Sequence, residues 1–97
     1  MELSKEQSRR RWKELRETVN NWDPVGLIEL GAPEDEYECL VGQLMSLLEL
    51  DTQPTGIADF LNYEIPHHFG VFLTKDANEF AARISRWFTE DRKAKEI

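Results

Sequence analysis

Residues 22–39, WDPVGLIELGAPEDEYEC, separate two amphipathic runs and hold Pro24 and Pro33, the only cysteine and the densest group of acids in the chain. Asp23 precedes a proline and is biased away from helical geometry, so a helix has to end there. Gly26 and Gly31 loosen the stretch around Leu27-Ile28, which is too short for a strand and reads as a loop pinned to the core by two aliphatic side chains. The segment is a joint that sets the angle between the helices on either side. Within it, Tyr37 can bury its ring while its hydroxyl bonds the Trp22-Asp23-Pro24 turn. Trp22, Asp23, Pro24 and Tyr37 are thus the expected structural joint, and Tyr37→Phe should cost about 1 kcal/mol.

On the N-terminal side, Trp12, Leu15, Val19 and Trp22 recur at helical spacing on one face. Ser4 with Gln7 fits a capping box, and Asn20-Asn21 suit the far end, which predicts a helix over about 4–21. Arg9, Arg10 and Arg11 fan around that helix about 100° apart and read as a solvated first turn. Glu6 and Arg10 have the spacing of an i,i+4 pair. On the other side, Pro33 with Glu34, Asp35 and Glu36 resembles a first turn whose acids offset the helix dipole. Tyr37, Leu40, Val41, Leu44, Leu47 and Leu48 then give the strongest periodicity in the chain, predicting a central helix over about 34–50. Gly42 inside it suggests a close helix–helix approach.

Thr55 with Asp59 opens a third helix carrying Ile57, Phe60 and Leu61, and Pro66 predicts its end or a kink near 65. After His67-His68-Phe69-Gly70 and Val71-Phe72-Leu73, Thr74 or Asp76 caps a last helix over about 75–91. Its face is Phe80, Ala81, Ile84, Trp87 and Phe88, with Glu79 and Arg83 as an i,i+4 pair and Arg92, Lys93 and Lys95 near its end. The pattern is that of an all-α protein, an irregular four-helix bundle in a single domain spanning 1–97.

The 97-residue length fits one core, and a 40% apolar share with ten aromatics is that of a globular chain rather than a disordered one. No apolar run approaches the roughly 20 residues of a membrane span, and the N-terminus has no apolar core of a signal peptide. With a single cysteine there is no internal disulfide, and a cytoplasmic setting is expected. The net charge of −7 is unevenly distributed. Residues 1–16 have six basic side chains against three acids, and residues 80–97 have five against three. Residues 17–79 have Lys75 alone against thirteen acids. Either the basic terminal helices pack near the acidic middle and offset its repulsion, or that middle faces a basic protein partner, and the acidity of the whole chain argues against nucleic acid.

The motifs Trp22-Asp23-Pro24-Val25-Gly26, Asp35-Glu36-Tyr37-Glu38-Cys39 and His68-Phe69-Gly70, set in a short acidic helical chain, resemble the YugE-like family of small uncharacterised bacterial proteins. The likeness covers roughly residues 15–88. Ile65-Pro66-His67 departs from the family pattern, which continues as helix there. The resemblance implies an all-helical fold and a bacterial source, and it implies no activity.

Candidate chemistry is sparse. His67 and His68 are adjacent, point about 100° apart on a helix and cannot form an i,i+4 metal-ligand pair, so no metal or other cofactor is expected. Cys39 sits among Glu36, Glu38 and apolar residues, a setting for an inert core or boundary thiol rather than a nucleophile. Asp23 as a turn former and Glu34–Glu38 as dipole acids need no catalysis. The reading is a non-enzymatic acidic protein-interaction domain, monomer or homodimer, of which an immunity or antitoxin-type protein is one version. Glu34, Asp35, Glu36 and Glu38 are its expected binding face, and Phe69 and Phe72 are a second candidate surface unless they cap the bundle. The alternative is a small metal-dependent enzyme or regulator using His67, His68 and nearby carboxylates.

Overall fold

The computed structural model describes residues 5–73 and 75–96. Among them four helices follow one another, α1 (Lys5–Trp22), α2 (Glu38–Glu49), α3 (Pro54–Phe69) and α4 (Ala77–Glu96), with no strand. The protein is an all-α four-helix bundle. The expected caps Ser4 and Thr74 lie outside the described residues, as does the side chain of Lys95.

α1 buries Leu15, Val19 and Trp22, with Trp12 half-buried at the margin. It runs through Asn20 and Asn21 and is stopped by Asp23 instead. Asp23 adopts a left-handed φ of 49°, and its N–H returns to the Val19 carbonyl at 2.8 Å. Aspartate and asparagine tolerate that conformation better than other side chains.

α2 starts at Glu38, four residues later than the sequence suggests. Residues 34–37 form turns instead, with Glu36 N–H on Pro33 O and Glu38 N–H on Asp35 O. Tyr37, at φ −100° and ψ 13°, precedes the helix and is wholly buried. Glu38 is therefore the one acid in the first helical turn, and Glu34, Asp35 and Glu36 lie outside it. Leu40, Val41, Leu44, Met45 and Leu48 form the buried face. A side chain added at Gly42 would meet nothing within 4 Å, so no close helix approach occurs there.

α3 begins with Pro54 after an extended Gln53, not with Thr55 and Asp59. It also does not end near 65 but continues past Pro66 to Phe69, with Gly70 as its C-cap, whose left-handed φ of 74° brings its N–H to Pro66 O at 2.9 Å. Proline has no N–H to give the carbonyl four residues earlier. That residue is Asn62, which is exposed, so water can meet the freed carbonyl. The extra turn seats Phe69 edge-on against Tyr37, with ring centroids 5.5 Å apart, while Ile65 remains in the core. Asp76 caps α4 through its carboxylate, which accepts the Glu79 N–H at 3.1 Å.

The closest backbone packing is α1 on α2 and α3 on α4. The Cα envelope measures 42 × 28 × 17 Å. Its short dimension accommodates two helix layers, which need about 13–15 Å between outer Cα atoms, and is too small for three. Side chains join the two pairs. Trp22 stacks on Phe80 at 4.0 Å between centroids, and Arg11 meets Asp91 at 2.5 Å. Residue 22 beside 80 and residue 11 beside 91 make α1 and α4 antiparallel. The bundle thus has one end formed by the 23–37 joint and the 70–76 connection, and another formed by the start of α1 and the finish of α4.

Arg11 is therefore not part of a solvated arginine run. It is 6% exposed and lies over the Phe88 ring, 5.3 Å from its centroid. Arg10 takes Glu14 at 2.7 Å and Asp91 at 2.8 Å rather than pairing with Glu6. Both bonds raise the Arg10 pKa above its ordinary value, Asp91 contributing most. Burial pushes the Asp91 carboxyl up, but hydrogen bonds from Arg10 and Arg11 outweigh it and hold the pKa below the usual value. Glu14 also accepts the Trp87 indole N–H at 3.0 Å.

Candidate functional site

The connection from α1 to α2 covers residues 23–37, whereas helices in bundles are usually joined by about two to eight residues. A fifteen-residue connection is longer than geometry requires, and its own side chains hold it in place. Asp23 is 7% exposed, and its carboxylate accepts three hydrogen bonds. The Tyr37 hydroxyl donates to Oδ1 at 2.7 Å, Ile28 N–H to Oδ1 at 3.0 Å and Glu29 N–H to Oδ2 at 2.9 Å. The Val25 and Leu27 N–H groups point at the Tyr37 oxygen, each at 3.4 Å.

Burial tends to raise the Asp23 pKa, but these donors and the charge of Lys75 reverse the balance and hold it below the ordinary value. The same burial, followed by the bond to Asp23, pushes Tyr37 up to about 12. Lys75, the one basic residue of the acidic middle, donates to the Trp22 carbonyl at the end of α1, a position the helix dipole favours. Three structural donors hold the Asp23 carboxylate, so it acts as a scaffold.

The loop held by this node turns its acids outward. Glu29, Glu34, Asp35, Glu36 and Glu38 are all exposed, and Leu30 stands among them 83% exposed. The main chain beneath them is fixed further by Asn20, whose side-chain amide donates to the Glu34 carbonyl at 2.9 Å. Arg16 approaches Glu38 at 3.7 Å. No ion pair among the described residues engages Glu29, Glu34, Asp35 or Glu36.

The second candidate surface divides. Phe69 turns inward onto Tyr37, and Leu73 packs against the core. Val71 and Phe72 remain outside, 50% and 86% exposed.

The histidines occupy the end of α3. His67 stacks on Tyr63 with centroids 5.3 Å apart, and His68 Nδ1 lies 3.8 Å from Glu64. Among the described residues, no group of three or more His, Cys, Asp or Glu side chains is placed to hold a metal ion. Cys39, expected in the core or at its boundary, is exposed, because it falls one residue before the buried Leu40 on α2.

The Arg10–Arg11–Asp91–Glu14 network at the opposite end is absent from the sequence reading. A signal for it exists, since Arg11 extends the stripe of Leu15, Val19 and Trp22 by one turn and Asp91 follows Phe88 on the inner side of α4. These features define the class as a small helical bundle whose long, internally braced joint presents unpaired acids. No family model matches the chain, and neither does any curated protein or solved structure. No described helix is long and apolar enough to cross a membrane.

Proposed function

We propose that this chain is a non-enzymatic protein-interaction domain of the bacterial cytoplasm, and that its acidic end docks a basic protein. The observation that carries this reading is the braced 23–37 joint. A main chain held by these hydrogen bonds displays Glu29, Glu34, Asp35 and Glu36, none of them in an ion pair among the described residues, so their field is available to an incoming molecule. Preorganisation matters here because a mobile loop would have to be ordered on binding. Glu38 extends the same face. An immunity or antitoxin-type protein that covers a basic active site is one form this function takes.

The test is affinity purification of the tagged protein from its native host beside a variant with Glu34, Asp35, Glu36 and Glu38 all replaced by Gln. A partner retained by wild type and lost by the variant supports the reading. Its association rate should fall steeply as salt rises through the range where the Debye length drops to about 10 Å. An association rate indifferent to salt overturns it.

A further inference from the structure

Two large apolar side chains stand at the acidic end with nothing over them, Leu30 at 83% and Phe72 at 86% exposure. Both are tethered to the joint. Leu30 follows by two residues Ile28, whose N–H is held by Asp23. Phe72 lies three residues from Phe69, which packs on Tyr37, and three from Lys75, which is hooked to the Trp22 carbonyl. Three residues span at most about 11 Å, so the 70–75 connection cannot carry Phe72 away from this end. Val71, half exposed, adjoins it. Exposed aromatic and aliphatic groups rimmed by polar residues are the usual anatomy of a protein-binding surface.

The charge around these anchors selects their occupant. Glu29, Glu34, Asp35 and Glu36 repel nucleic acid and anionic lipid. A symmetric second copy would set the same carboxylates against one another, which disfavours that pairing. What fits is a segment that carries its own apolar residues between lysines or arginines. Resting on the acidic-face reading above, we propose that this end binds an amphipathic basic segment, with Phe72 and Leu30 receiving its apolar face and the acids of the 29–36 loop receiving its cations.

The test uses the full chain and three labelled synthetic peptides: a Leu/Lys peptide with helical spacing, the same peptide with every Leu replaced by Ser, and a Leu/Glu peptide. Fluorescence anisotropy gives Kd for wild type, Phe72→Ser, Leu30→Ser and the triple variant Glu34→Gln/Asp35→Asn/Glu36→Gln. The two apolar positions are exposed enough that neither Ser variant disturbs the core.

The proposal expects the Leu/Lys peptide to bind most tightly. Either Ser variant should weaken it about ten-fold and leave the Ser/Lys peptide unchanged, while the acid variant weakens both. If the acid variant weakens both Lys peptides but neither Ser variant distinguishes them, the amphipathic proposal fails and the acidic face stands. Acid substitutions that affect neither peptide overturn both. Equal affinity for the Leu/Glu peptide overturns the proposal, as does a concentration-dependent dimer, seen by sedimentation, that Phe72→Ser abolishes.

Discussion

Replacing Tyr37 with Phe removes one oxygen from the joint and leaves the ring in the core. The lost bond is buried and runs to a carboxylate at 2.7 Å, a class whose removal costs about 1.5–3 kcal/mol. The Val25 and Leu27 N–H contacts at 3.4 Å are too long to add much. Asp23 keeps Ile28 N–H and Glu29 N–H, so it is weakened but not orphaned. About 2 kcal/mol is therefore expected, twice the figure for a neutral partner. At about 4–8 °C per kcal/mol for a chain of this size, Tm should fall by about 8–16 °C. Urea titration followed by tryptophan fluorescence measures the change well, because Trp22 precedes Asp23 and stacks on Phe80. Asp23→Asn keeps a side chain suited to the left-handed backbone, so its effect reports the carboxylate, and the double variant should be strongly non-additive. A shift below about 0.5 kcal/mol with an unchanged urea slope would refute the buried Tyr37–Asp23 bond as the brace of the joint.

Three further outcomes follow from the same geometry. Asp23 and Asp91 have folded pKa values below their unfolded ones, so their stabilisation is present above about pH 4 and lost as pH falls through the folded values. Tyr37 is raised instead, so its stabilisation is complete below pH 10 and lost as pH climbs toward 12. Unfolding free energy against pH should therefore decline on both flanks, and Tyr37→Phe should make the alkaline decline shallower. Gly42→Ala should stabilise by about 0.5–1 kcal/mol, because the helix gains propensity and the new methyl meets open space; a lower Tm for that variant would mean the site is crowded. Asp91→Ala should destabilise by about 3 kcal/mol by leaving the buried Arg11 guanidinium without its carboxylate. A loss under 1 kcal/mol in chemical denaturation would contradict that burial.

Most of the helical framework is readable from periodicity, because burial on one face is a repeating demand that leaves a repeating mark. α1 and α4 declare themselves through Leu15–Val19–Trp22 and Phe80–Ile84–Phe88. The errors come where a tertiary contact overrides a local rule. Pro33 and its following acids have the composition of a helix start, yet the backbone turns there, and Tyr37 reaches Asp23 across the joint. Pro66 looks like a stop or a kink, yet the helix continues for another turn that seats Phe69 on Tyr37, and the proline falls where the residue four earlier, Asn62, is exposed. Arg11 is indistinguishable from its arginine neighbours by residue type and differs only in lying on the stripe. At the candidate site, the acids and the four joint residues are legible because they fall within one stretch, 22–38. The exposure of Leu30, and the parting of Phe69 from Phe72, depend on which way a loop turns, and no short-range pattern records that.

The pairing of α1 with α2 and of α3 with α4 also bears on how quickly the molecule assembles. Each pair is a hairpin of neighbours along the chain, so most backbone contacts are local, a topology associated with fast folding. The hairpins are then joined by Arg11 with Asp91, Trp22 with Phe80 and Lys75 with the Trp22 carbonyl, links that span much of the chain. If these close after the rate-limiting barrier, weakening them leaves the refolding limb of a chevron in place and steepens escape from the native state. In that order of events the hairpins set the rate of arrival, and the contacts between them set how long the folded protein lasts.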